Sequence, residues 1–228
     1  MLFRRRKEGP RPGNTTAVIL AGGKSERFGA TKGLARLAGD PLVLWAARSA
    51  SAAASRLIVV LAPDADETPW RDALGALTLI RSGPAKDAVR FIHDDVPHQG
   101  PASGVGAVLP HIKDPYVLLL SSDMPLVPPD LLLGLQERLS GHDTVLFHLE
   151  GWWQTFPSLW RRDGLEEALE VAQAEAAHSL HALVEAVDAR PLGKEYFGLF
   201  GDDPTILLSI DTQGDLERAE AWLARRRG

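Results

Sequence analysis

Ala17-Val-Ile-Leu-Ala-Gly-Gly-Lys-Ser-Glu-Arg-Phe-Gly-Ala-Thr-Lys32 is the stretch that decides the fold. Its first five residues are apolar and bounded by Thr on one side and Gly22-Gly23 on the other, as a buried strand should be. A run that is apolar on both faces suits a central parallel strand better than a half-exposed antiparallel one. The same pattern recurs at residues 57–62 and, most strongly, at 116–120. Helix signals fall between these runs. Gly39-Asp40-Pro41 offers a capping Asp and a Pro at the first helical position ahead of residues 42–52. Pro128-Pro129-Asp130 precedes residues 131–139 in the same manner. Thr212 with Asp215 three residues on reads as a capping box for a last helix through Trp222 and Leu223. Strands alternating with helices predict an α/β layered sheet.

Beyond residue 143 the pattern loosens. Residues 144–148 and 155–160 read as strands, two helical stretches follow, and 205–210 reads as a last strand. There is no internal repeat and no low-complexity tract. The expectation is a basic, frayed leader over residues 1–14 and a single domain over 15–228.

Composition narrows the function. The chain has 228 residues, 45% of them hydrophobic and 24% charged, which fits a folded globular protein and not a disordered one. No apolar run approaches the ~20 residues of a spanning helix, so no membrane is expected as partner. Zero Cys excludes disulfides and thiolate chemistry. The net charge is -5, and residues 1–12 carry Arg4, Arg5, Arg6, Lys7 and Arg11 against Glu8. The acidic remainder argues against nucleic acid, whose binding needs a basic surface. The run after the leader is too short for a signal-peptide core, and a cytoplasmic body is expected.

Four segments carry chemistry. Residues 20–32 must lie at the carboxyl end of a strand, where α/β sheets bind ligands. The glycines let backbone N–H groups approach phosphate oxygens, and Arg27 and Lys32 can neutralise a polyphosphate. The loop is not a Walker A motif, because Val18 stands where Gly23-Lys24-Ser25 would need a preceding Gly, and it contains no G-x-G-x-x-G. An ordinary tight turn with surface cations is the plainer alternative. The second segment, from Asp94 to Gly104, feeds Gly100-Pro101 into a helix start of very small residues; close ligand approach and a tight turn explain it equally. In the third, the apolar run 116–120 ends in Ser121-Ser122-Asp123-Met124-Pro125, a strand-end carboxylate of the kind that holds Mg²⁺ or caps a turn. The fourth, Leu207-Leu-Ser-Ile-Asp211-Thr212, offers another such carboxylate, which could equally hold its turn. Seven His show no zinc spacing; His178 and His181 read as one solvated helix face. Trp152, Trp153 and Trp160 read as packing, and Ser121 and Ser122 lack a nucleophile elbow.

Taken in this order, the segments resemble the molybdenum cofactor guanylyltransferases, within a wider group of nucleotidyltransferases. The group's loop is similar to Leu20-Ala-Gly-Gly-x-Ser-x-Arg-x-Gly-x-x-Lys32, with Phe28 where Met is usual and Thr31 where Asp is common. The family's Gly-Pro-Leu-Ala-Gly appears as Gly100-Pro-Ala-Ser-Gly104, and its Asp-Met-Pro as Asp123-Met-Pro125. Gln154-Thr-Phe-Pro-Ser-Leu-Trp-Arg-Arg162 and His178-Ser-Leu-His-Ala-Leu183 are similar to later segments. Two places depart: Leu61 stands where the second strand often ends in Asn, and Ser209-Ile-Asp211 replaces Asn-x-Asn. The resemblance implies a three-layer α/β/α, Rossmann-like (GT-A-like) fold with a mostly parallel sheet. It implies transfer of GMP from GTP to the phosphate of molybdopterin, giving the guanine dinucleotide cofactor and pyrophosphate. Leu20, Ala21, Gly22, Gly23, Lys24, Ser25, Gly100 and Pro101 would contact the nucleotide, with Asp94 near its base or sugar. Arg27 and Lys32 would brace the phosphates, Asp123 would hold Mg²⁺, and Asp211 could supply a second ligand. Proteins that deliver molybdopterin or mature molybdoenzymes are the expected macromolecular contacts. Two other functions stay open: a relative using CTP or a sugar-phosphate acceptor, and a nucleotide-binding partner protein without catalysis.

Overall fold

The computed structural model describes residues 8–22, 31–79, 89–94, 100–200 and 203–227. Seven strands form one sheet in the order β5-β4-β1-β6-β8-β7-β9. They are β1 (Thr15–Leu20), β4 (Arg56–Leu61), β5 (Val89–His93), β6 (Tyr116–Ser121), β7 (Thr144–Leu149), β8 (Trp152–Arg161) and β9 (Ala189–Leu192); β2 (Arg36–Leu37) and β3 (Asp40–Pro41) make a small separate hairpin. β1 pairs in parallel with both β4 and β6, and β5 joins β4 in parallel. β8 runs antiparallel to β6 and β7, and β9 pairs in parallel with β7.

Both faces of the sheet are covered, so its strands are apolar on both sides. Along β1, Ala17 and Ile19 face one core while Val18 faces the other. In β4, Leu57, Val59 and Leu61 face the first core and Ile58 and Val60 the second. α1 (Leu42–Ala53), α2 (Thr68–Leu74), α4 (Pro129–Arg138) and α7 (Gln213–Arg227) cover the first face; α3 (Pro101–Val108), α5 (Arg162–Ala174) and α6 (Leu180–Glu185) cover the second. This is the mostly parallel, three-layer α/β/α arrangement expected. Chain order reverses at β1, which is followed in sequence by β4 on one side and flanked by β6 on the other. That reversal opens a crevice at the carboxyl ends of the strands.

Several local expectations need correcting. Asp40 does not cap α1: Pro41 holds the N-cap position, and Asp40 pairs with Leu37 in the hairpin and with Arg48. Residues 205–210 are not a strand. Asp203 accepts a hydrogen bond from the Thr205 amide and Pro204 has no N–H to give a ladder, so Pro204–Leu207 winds into a 3-10 turn. The last strand is instead β9, Ala-Arg-Pro-Leu, whose Pro191 is tolerable because it lies at the sheet edge. His178 lies ahead of α6, since Ser179 caps that helix, and does not share its face with His181. Trp160 is buried as expected, but Trp152 is 70% exposed. Of the segment expected to fray, residues 8–14 are folded: the Tyr116 hydroxyl donates to the Glu8 carbonyl at 2.7 Å, and Thr15 donates to the Arg11 carbonyl.

Candidate active site

A cleft of about 600 Å³ opens at the carboxyl ends of β1, β4 and β6. Nine of the residues expected at a site line it: Leu20, Ala21, Gly22, Lys32, Asp94, Gly100, Pro101, Asp123 and Asp211. Gly23, Lys24, Ser25 and Arg27 lie outside the described residues.

Lys32 organises the floor. Its Nζ lies 2.6 Å from an oxygen of Asp123 and 2.6 Å from one of Asp211. Burial alone would lower the lysine pKa; hydrogen bonds and charge attraction to the two aspartates outweigh it and raise the pKa above its ordinary value. The residue after Lys32 explains why the chain can pass so close. A Cβ on Gly33 would stand 2.8 Å from the buried Trp70 ring and 3.0 Å from Ser122 Oγ, so a side chain there would push Lys32 out of place.

The two carboxylates arrive by different routes. Asp123 follows β6, which is pinned to β1 by the Ser122 amide donating to the Leu20 carbonyl at 3.0 Å. Asp211 is carried in by the Ile210 amide, which donates to the Asp123 carbonyl at 2.9 Å, while Ile210 is fully buried. Neither aspartate side chain is occupied in capping. The α7 capping box is made by Thr212 and Asp215, whose hydroxyl and carboxylate exchange hydrogen bonds with each other's amides. Asp211 is thereby left to face Lys32. Two carboxylates converging on one cation are oxygen donors of the type a hard cation such as Mg²⁺ accepts, with waters or phosphates completing its shell. Asp123 and Asp211 are the groups that could hold it; among the described residues no third His, Cys, Asp or Glu joins them.

The opposite wall belongs to Asp94 and α3. The Asp94 amide donates to the Leu61 carbonyl at 2.9 Å, fixing it just past β5. Gly100 starts α3 at φ +86°, and a Cβ there would stand 2.6 Å from the His178 carbonyl oxygen, so both conformation and space demand glycine. Gly104 faces Val60, Leu20 and Asp94, leaving a slot where a side chain would stand.

Phe156 also lines the cleft and was not anticipated from the sequence. It comes from β8, which runs antiparallel to the site-forming strands, so no strand-end signature marks it. His93 was missed as well. Its Nδ1 lies 3.0 Å from the Ala62 carbonyl and 3.1 Å from that of Pro63, and its Nε2 lies 3.1 Å from Glu67. Both ring nitrogens face acceptors, so both bonds form together only in the imidazolium. Burial would lower the His93 pKa, but the Glu67 carboxylate and the two carbonyls outweigh it and raise it. A raised folded pKa contributes stability that is full below the unfolded value of about 6.5 and is lost as pH rises through the folded pKa. The melting-temperature gap between the parent and His93→Gln should therefore be wider at about pH 5.5 than at about pH 8.5. Equal gaps in differential scanning fluorimetry would contradict a charged His93 bonded to Glu67 and the two carbonyls.

Comparison with known proteins places the chain in a family. The sequence profile of the MobA-like NTP transferase domain matches residues 17–190. A probable molybdenum cofactor guanylyltransferase from Natronomonas pharaonis is 32% identical over 217 residues, 93% of this chain and 100% of the relative. A molybdenum cofactor guanylyltransferase from Syntrophotalea carbinolica is 26% identical over 93% of this chain and 91% of its own length. Among solved structures, the molybdopterin-guanine dinucleotide biosynthesis protein A of Archaeoglobus fulgidus superposes with a TM-score of 0.68 at 22% identity, covering 92% of this chain and 99% of that one. The 2-C-methyl-D-erythritol 4-phosphate cytidylyltransferase of Thermus thermophilus gives 0.65 at 19% identity, covering 93% and 99%. These two structures share the fold. With the profile spanning most of its length, the chain belongs to the MobA-like NTP transferase family.

Proposed function

We propose that this protein transfers the guanylyl group of GTP to the phosphate of molybdopterin, releasing pyrophosphate. The observation that carries the reading is the Lys32 ammonium held 2.6 Å from both Asp123 and Asp211 at the floor of the cleft. A phosphate monoester is already an anionic nucleophile, so the site needs no strong general base. An oxygen of that phosphate attacks the α-phosphorus, a new P–O–P linkage forms, and the bond to the β-phosphate bridge breaks with its electrons leaving on pyrophosphate. The site's task is alignment and neutralisation of charge. In this reading Leu20, Ala21, Gly22, Gly100 and Pro101 bound the nucleotide, Asp94 accepts hydrogen bonds from its base, and Lys32 with Arg27 braces the phosphates. Asp123 holds Mg²⁺ with Asp211 beside it; bound there, the ion supplies charge compensation to the phosphate oxygens. The names of the curated relatives support the guanylyl and molybdopterin assignment.

One observation favours a second reading. Asp211 stands where the resembled pattern has Asn, and it meets Lys32 as a charged partner, which suits a relative using CTP or a different phosphorylated acceptor. A binding protein without catalysis is disfavoured, because binding alone has no use for Lys32, Asp123 and Asp211 gathered at one point. Pyrophosphate release with purified molybdopterin, measured for GTP, ATP, CTP and UTP, separates the readings. GTP should exceed each of the others in kcat/KM by more than about tenfold, since a mismatched base leaves at least two polar groups unpaired at ~1–3 kcal/mol each. Preference for CTP would replace the guanylyl assignment with the cytidylyl one.

A further inference from the structure

Phe156 is presented to the cleft by an irregularity in β8. Along the β7–β8 pair Leu146 faces Ser158, but the next residue, Phe147, faces Gln154, so Thr155, Phe156 and Pro157 fall outside the ladder. β6 does not take them up either, since its pairing with β8 ends at Leu119 and Ser158. Bulges of this kind re-aim a side chain out of the regular alternation of a strand. This one is clamped from within the core. The Ser158 hydroxyl donates to the Thr155 carbonyl at 2.8 Å, and its oxygen accepts from Trp160 Nε1 at 2.9 Å. Ser158 and Trp160 are each 1% exposed, so the bulge is held by buried groups. The ring it presents is half-buried, packs against both apolar cores and lines the cleft.

The place of that ring in the sheet decides what it can meet. In the order β5-β4-β1-β6-β8, Asp94 follows the first strand and Phe156 belongs to the last, and these two strands are four spacings, roughly 19 Å, apart. Asp123 follows β6, the neighbour of β8, and Lys32 meets it at 2.6 Å. A nucleotide bounded by Asp94 and the start of α3 brings its phosphates to that charged cluster and leaves the β8 side of the cleft to the second substrate. The acceptor's phosphate must reach the same α-phosphorus, so the rest of the acceptor lies against Phe156. An apolar ring does nothing for charge neutralisation there; its face suits a flat π-system. A sugar phosphate offers no such face.

We infer that Phe156 is a specificity-determining residue for the acceptor, a stacking face for the flat conjugated ring of a pterin. The inference rests on the molybdopterin reading above and deepens it by locating the acceptor's ring.

The test is steady-state pyrophosphate release by the full-length protein with GTP, Mg²⁺ and purified molybdopterin, beside calorimetric GTP binding without acceptor. Phe156→Leu keeps an apolar side chain but no ring. It should lower kcat/KM for molybdopterin about tenfold, or about 1.4 kcal/mol, the scale on which stacking on one aromatic side chain is felt. The loss should appear in KM, because stacking holds the ring equally in the ground state and the transition state. GTP affinity should keep its parent value. Phe156→Tyr retains the ring face and should retain the parent KM. Phe156→Met, a second variant without a ring, repeats the measurement should the leucine variant fold poorly. An unchanged molybdopterin KM in the variants without a ring, or an equal loss of GTP affinity, would overturn the inference while leaving the guanylyl reading intact. A parent protein that releases no pyrophosphate with molybdopterin would instead fail the acceptor reading, and the role of Phe156 with it.

Discussion

Asp123→Ala should lower GTP-dependent pyrophosphate release by at least ~10²-fold, the scale on which loss of one principal electrostatic element is felt. The loss should fall on kcat, because in the proposed reaction Asp123 serves the charge that develops on the transferring phosphoryl group. The fold should survive. Lys32 keeps Asp211 at 2.6 Å as a counter-ion, so the ammonium is not stranded. Partly exposed ion pairs of this kind contribute only ~0–1 kcal/mol to stability. Steady-state kinetics and a melting curve on the same preparation check both halves. Near-normal Mg²⁺-dependent turnover in this variant would mean the metal site is wrongly placed; a collapsed melting temperature would mean that Asp123 is structural.

Phe147→Ala should be among the costliest single truncations for stability, and it probes the half of the chain whose pattern is weakest. Phe147 is fully buried in β7, stacked on Phe197 with ring centroids 5.0 Å apart and tilted against Tyr196 at 5.8 Å. Those two partners come from the 3-10 segment Lys194–Phe200 that follows β9. Removing the ring should cost ~3–5 kcal/mol, which for a chain of this size lowers the melting temperature by roughly 6–20 °C. A fall of under about 3 °C would mean that the segment after β9 is not anchored by this contact. The cleft depends on the same half of the molecule, since the chain leaving the 3-10 turn Pro204–Leu207 delivers Ile210 to the Asp123 carbonyl and so carries Asp211 into place.

What the sequence determined by itself is what local chemistry can determine. A central parallel strand must be apolar on both faces, so β1, β4 and β6 announce themselves as unbroken runs. Ligands meet such sheets at the carboxyl ends, so Gly22, Lys32 and Asp123 could be marked as candidates from their places after those runs, and the cleft does gather them. The Thr212–Asp215 capping box is a contact between residues three apart, and it formed as read. Tertiary structure decided the rest, because the signals involved are long-range. β9 is four residues with an Arg and a Pro, a strand only because the β7 edge is there to pair with it. Residues 205–210 look apolar enough for a strand, but Asp203 and Pro204 start a turn, and among the described residues the segment joins no sheet. His93 carries no motif; its role comes from carbonyls and a carboxylate 26 to 31 positions away. Asp211 could have been a turn-holder or a site residue on sequence grounds. A lysine 179 residues earlier, brought to 2.6 Å by the sheet between them, turned it into the cleft.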